Sequence, residues 1–155
     1  MIKLAAMAAM LLLVASQSAR AEDDHAPRPS ELTSRGVIAT AADEAYKEAI
    51  DSCYRGKAGN APHGPQFLAC IKQQQRSESE NLAAALKATA SFLKSSADRT
   101  ARLRNAQNAW TKFRDENCAF ARVVAPRDEA DELFYDCLLR ATIDRRIELR
   151  SLVGD

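Results

Sequence analysis

The chain has 155 residues, 46% of them hydrophobic and 28% charged, with 5 Gly, 5 Pro, 4 Cys and 1 Trp; that is enough for one domain and too short for two. Lys plus Arg number 22 against 21 Asp plus Glu, so the cationic excess that a nucleic-acid groove or an anionic membrane surface selects is missing. The two histidines, His25 and His63, stand away from any cysteine pair at metal-ligand spacing, which argues against a zinc site or a His-based triad. No metal or cofactor is expected.

The first 21 residues read as a secretory signal peptide. Lys3 supplies the positive n-region, Leu4 to Ala15 the apolar h-region, and Ala19-Arg20-Ala21 an A-x-A cleavage site before Glu22. The apolar run is shorter than the roughly 20 residues needed to span a bilayer, and no second run of that kind follows. Cleavage removes two of the 22 basic residues, Lys3 and Arg20, and none of the 21 acids, so the exported chain carries a formal charge of −1. A periplasmic or secreted location follows, with no membrane span left after cleavage.

Outside the cytoplasm thiols oxidise, so four cysteines imply two disulfides. Three connectivities are possible. Cys53 and Cys70 flank one Gly/Pro-rich loop and Cys118 and Cys137 flank another that contains Pro126, which favours the two sequential pairs.

Residues 22–39 are polar, with Pro27 and Pro29 and no apolar periodicity, and are expected to be a flexible tail before a helical domain over 40–155. A first short helix spans about 40–54, with Ala42, Ala45 or Tyr46, Ala49 and Cys53 on one face. Residues 56–65 hold three of the five glycines and two prolines and read as a loop, with His63 as loop filler. A second helix over about 66–93 repeats Ile71, Gln75, Glu78, Leu82, Ala85, Thr89 and Phe92 or Leu93. Ser95, Ser96 or Asp98 can cap a third over about 99–123, striped by Leu103, Ala106, Trp110, Phe113 and Ala121. A fourth, over about 128–152, opens with acids suited to a helix N-terminus and places Phe134, Leu138, Ala141 and Leu152 on one side. With no strand signal, the fold class is all-α: a small antiparallel helical hairpin or bundle of three to four helices stapled by two disulfides.

Polar residues interrupt the apolar stripes. At about 100° per residue, with Leu103 at zero, Gln107 falls near +40° and Arg114 near +20°, between Trp110 near −20° and Cys118 near +60°. Glu78 lies in the seam of the second helix, and Arg145 and Glu148 in that of the fourth. Antiparallel packing about the loops would set Trp110 against Arg145, Gln107 against Glu148, and Arg114 close to Glu78 and Glu80. The expectation is an inward polar layer of Glu78, Gln107, Trp110, Arg114, Arg145 and Glu148, in which Arg114 pairs with Glu78 while Arg145 stacks on Trp110 and reaches Glu148. Such layers often fix helix register rather than carry function.

No nucleophile elbow, H-E-x-x-H, phosphate-binding loop or dinucleotide fingerprint occurs, and a helical hairpin offers no groove for a pair of catalytic carboxylates. A catalytic role is not expected.

The segment Arg102–Phe120, RLRNAQNAWTKFRDENCAF, followed by CLLRATIDRRIELRSL from Cys137, resembles the carboxy-terminal half of the LprI-type lysozyme inhibitor domain. The matching positions are Leu103, Ala106, Gln107, Trp110, Phe113, Arg114, Asp115, Cys118, Cys137, Arg145 and Leu149, and Cys53 and Cys70 fit the earlier cysteines. The resemblance covers about residues 50–152. It departs in the second helix, where such domains tend to show L-N-x-x-Y and this chain has Leu82, Ala83 and Leu86. It implies a small exported helical protein, some of whose relatives inhibit lysozyme. Two functions are therefore expected as alternatives: binding and inhibition of lysozyme outside the cytoplasm, or an envelope binding module that engages another exported protein. Lysozymes are often strongly basic, and the one stretch suited to steer them is Asp128, Glu129, Asp131, Glu132 and Asp136, five acids with no base between.

Overall fold

The described residues of the computed structural model form four helices: α1 (Pro29–Arg55), α2 (Pro65–Phe92), α3 (Ala97–Val124) and α4 (Ala130–Ser151). The structure describes residues 29–55 and 63–154, and no strand occurs among them. The leader expected over 1–21, the tail residues 22–28 and His25 lie outside the described residues. Residues 35–155 form the unit that carries both cores and both disulfides.

The first helix is already present at Pro29, the first described residue, rather than near residue 40, so 29–39 of the expected tail is helical. Periodicity reports burial, and residues 36–40 of this helix are largely exposed, Val37 being 66% so. The second helix opens on Gly64 and Pro65. Gly64 has φ 124° and ψ 179°, a region that only glycine occupies readily, although open space surrounds the position a Cβ would take. Of the three candidates for capping α3, Ser96 does so, its hydroxyl accepting from the Arg99 amide. Extended backbone at Ala125, followed by Pro126, ends that helix.

Two buried clusters hold the bundle. Ala42, Cys53, Phe67, Ile71, Leu139 and Ile143 join α1, α2 and α4, while Leu82, Ala85 and Leu149 join α2 to α4 with Leu103 and Trp110 of α3 packed against them. The last helix is thus the common neighbour. Its buried face, Leu138, Leu139, Thr142, Ile143, Arg146 and Leu149, is wider than the expected line of Phe134, Leu138, Ala141 and Leu152, and Leu152 is 60% exposed. Cys53–Cys70 ties α1 to α2 and Cys118–Cys137 ties α3 to α4, the two sequential pairs. In the loop-closure account each contributes roughly 3 kcal/mol, by restricting the unfolded chain.

Helix direction decides which side chains meet. α3 and α4 run antiparallel, since Gln107 meets Arg145, Arg114 meets Thr142 and Cys118 meets Cys137. α2 and α4 run parallel: His63 and Glu132, like Glu78 and Arg146, are bonded at nearly constant sequence separations of 69 and 68. α3 packs chiefly on α4 rather than on α2. Its inward face is centred on Gln107 and Arg114, so Ala106 and Phe113 of the expected stripe point outward, Phe113 being 64% exposed.

Candidate functional site

The polar residues of the bundle fall into a waist between helices and an acidic end. At the waist, Arg146 Nε donates to Glu78 Oε2 at 2.6 Å, with the two side chains only 10% and 15% exposed. The expected Arg114–Glu78 pair is not formed. Two helices that both follow a reversal run parallel, so Glu78 of α2 looks across to α4, where Arg146 waits one position beyond Arg145. Arg114 instead bonds its chain neighbour Asp115 at 2.7 Å and reaches Thr142 Oγ1 at 3.5 Å.

Trp110 lies between two guanidinium groups, Arg114 at 4.9 Å and Arg145 at 6.0 Å from its ring. Arg145 also donates to Gln107 Oε1 at 3.2 Å and to Glu148 at 2.7 Å. Every buried side-chain nitrogen and oxygen among the described residues has a partner. These contacts make Gln107, Trp110, Arg114 and Arg145 part of a joint between α3 and α4.

The five acids between Asp128 and Asp136 do not form one surface patch. Asp128 is exposed and Asp131 pairs with Arg122 at 2.9 Å. Glu132 is 7% exposed and turns inward, accepting from the Gly64 amide at 2.6 Å and from His63 Nδ1 at 2.9 Å. It caps α2 from another helix, where the dipole favours an anion. Asp136 accepts the Tyr46 hydroxyl across to α1. The helical period explains the division on α4, because residues 132 and 136 share its inner side and 131 the outer, while 128 and 129 precede the helix.

His63 is therefore not the loop filler expected from sequence. Its bond to Glu132 holds its pKa above the usual 6.5, with Glu129 adding to the rise and partial burial opposing it. Burial first, and then the bond to Asp136, push the Tyr46 hydroxyl well above its ordinary 10.0. The only sequence cue to His63 was its place before Gly64-Pro65, where a helix begins and exposed amides attract a carboxylate. Among the described residues no group of His, Cys, Asp and Glu could hold a metal ion, and no helix is long and apolar enough to cross a membrane.

The family model described as lysozyme inhibitor LprI matches residues 55–149. The chain belongs to this family. The matched span begins at the last residue of α1 and takes in the second core, the waist ion pair and all five acids of the 128–136 stretch. No curated protein and no solved structure matches the chain.

Proposed function

We propose that this LprI-family protein is an exported, non-catalytic inhibitor that binds lysozyme through the acidic end formed by the start of α4 and the facing ends of α1 and α2. The family match over residues 55–149 carries this reading. Two disulfides suit a periplasmic or secreted protein. At this end Asp128 and Glu129 remain to face a basic partner, whereas the other acids are engaged within the fold. Charge of this kind speeds and orients encounter more than it tightens the final complex.

Titrating the purified protein into lysozymes of several classes, while reading muramidase activity and heat of binding, tests the proposal. Saturable inhibition of at least one class is expected, weakened and slowed in onset by the double change Asp128→Lys, Glu129→Lys. Absence of binding to every class removes the inhibitor reading and leaves an envelope module with another exported partner.

A further inference from the structure

Among the described residues, α1, α2 and the start of α4 surround a cavity of about 190 Å³ that no contact described above fills. Its deep members are apolar, Ile71 and Phe67 at 1% and 7% exposure. Ile50 and Leu133 continue that surface, and Tyr46 and Tyr54 add aromatic faces. Sites for drug-sized ligands start at roughly 300 Å³, so the space suits one side chain rather than a sugar or a peptide.

Its polar lining is mostly acidic. Glu129, Glu132 and Asp136 line it with His63 at the mouth, and among the described residues no lysine or arginine does. Glu132 is occupied by Gly64 and His63, and Asp136 by Tyr46. The Glu129 carboxylate has no hydrogen bond or ion pair among the described residues. Neighbouring cations are engaged elsewhere: Lys72 over the Tyr135 ring, Arg122 on Asp131, and Arg140 on Asp43 and over Tyr46. An anion entering would meet three carboxylates. A purely apolar group would strip water from them without replacing it.

We infer that this cavity takes a single arginine or lysine side chain from a protein partner, its alkyl stem along Phe67, Ile50 and Leu133 and its cationic head at Glu129. The site deepens the inhibitor reading and rests on it for the partner's identity alone. The groups facing the occupant are Tyr46 and Tyr54 from α1, His63 ahead of α2, and Glu129, Glu132 and Asp136 from the start of α4. Protonated His63 at the mouth repels the cation, so affinity rises with pH as His63 loses its proton.

The test titrates three probes into the disulfide-intact protein, following amide NMR shifts and heat: capped arginine amide, its uncharged isostere capped citrulline amide, and agmatine, which has the stem and cation without the peptide. Capped arginine and agmatine are expected to shift Gly64 and Leu133 saturably, with citrulline at least about tenfold weaker. Glu129→Gln, a partly exposed change that leaves both cores intact, weakens arginine about three- to fivefold, as befits a partly hydrated ion pair. Equal binding of citrulline, shifts that map elsewhere, or no saturable shift overturns the site. Agmatine bound with the capped residue shut out overturns the side-chain assignment in favour of a free amine. Arginine binding with no lysozyme inhibited keeps the site and removes the inhibitor reading, whereas inhibition with no arginine binding removes the site alone.

Discussion

Replacing Arg146 with methionine leaves Glu78 facing α4 with no cation, in a waist where the two side chains are 10% and 15% exposed. Breaking a buried ion pair from one side costs about 3–5 kcal/mol. Glu78 keeps a little water, which places this case near 3 kcal/mol. Against a total of about 5–15 kcal/mol for a domain, that is a large fraction, and it lowers the melting temperature by about 10 °C. Denaturant unfolding with both disulfides intact, read by far-ultraviolet ellipticity and by the fluorescence of the single tryptophan, Trp110, measures it. The double variant Glu78→Leu, Arg146→Met should return to within about 1 kcal/mol of the wild type or exceed it, since an apolar pair carries no desolvation penalty. An Arg146→Met variant within about 0.5 kcal/mol of the wild type, or a double variant as unstable as the single, would refute a buried pair that fixes register.

Other perturbations probe the staples and the acidic end. Cys53→Ser with Cys70→Ser should cost about 3 kcal/mol, and the Cys118, Cys137 pair about the same, by denaturant unfolding; thiol titration of the unfolded, unreduced wild type should find no free thiol. Gly64→Ala should destabilise by about 1–3 kcal/mol from backbone strain, with Gly36→Ala, on the exposed part of α1, neutral or stabilising. His63 has a folded pKa above its unfolded 6.5, so its contribution is complete below pH 6.5 and is lost as pH rises through the raised value. Stability should therefore decline across that window, and His63→Gln should flatten the decline; an unchanged profile in the variant would dissociate His63 from it.

What the sequence revealed and what it hid follow from the same physics. The all-α class and the positions of α2, α3 and α4 were legible because long stretches free of Gly and Pro repeat apolar residues at helical spacing, and the cysteine pairs because each closes over a turn; the first part of α1, which holds Pro29 and Gly36, was not. The angular position of Gln107 and Arg114 on α3 was legible too, since angle depends only on residue number. The facing partner was not: register across a loop could be projected from α3 to α4, but which helices become neighbours is a property of the whole bundle. Projection from sequence therefore pairs Glu78 with Arg114, whereas parallel packing brings Arg146 to it. Phe113 misled for a related reason, because an aromatic at helical spacing looks like core while α3 buries only the side it turns to α4. The acidic stretch was visible as composition, but its division into inward Glu132 and Asp136 and outward Asp131 required the helix phase. His63 carried no motif, and its role arises from a carboxylate 69 residues away.

Hydrogen exchange of the protein alone and mixed with an inhibited lysozyme addresses the contact face directly. The account predicts slowed exchange at residues 46–54, 63–67 and 128–136 and unchanged exchange along the outer side of α3 at Phe113 and Phe120. Protection confined to that outer side of α3, or none anywhere in the chain, would contradict it.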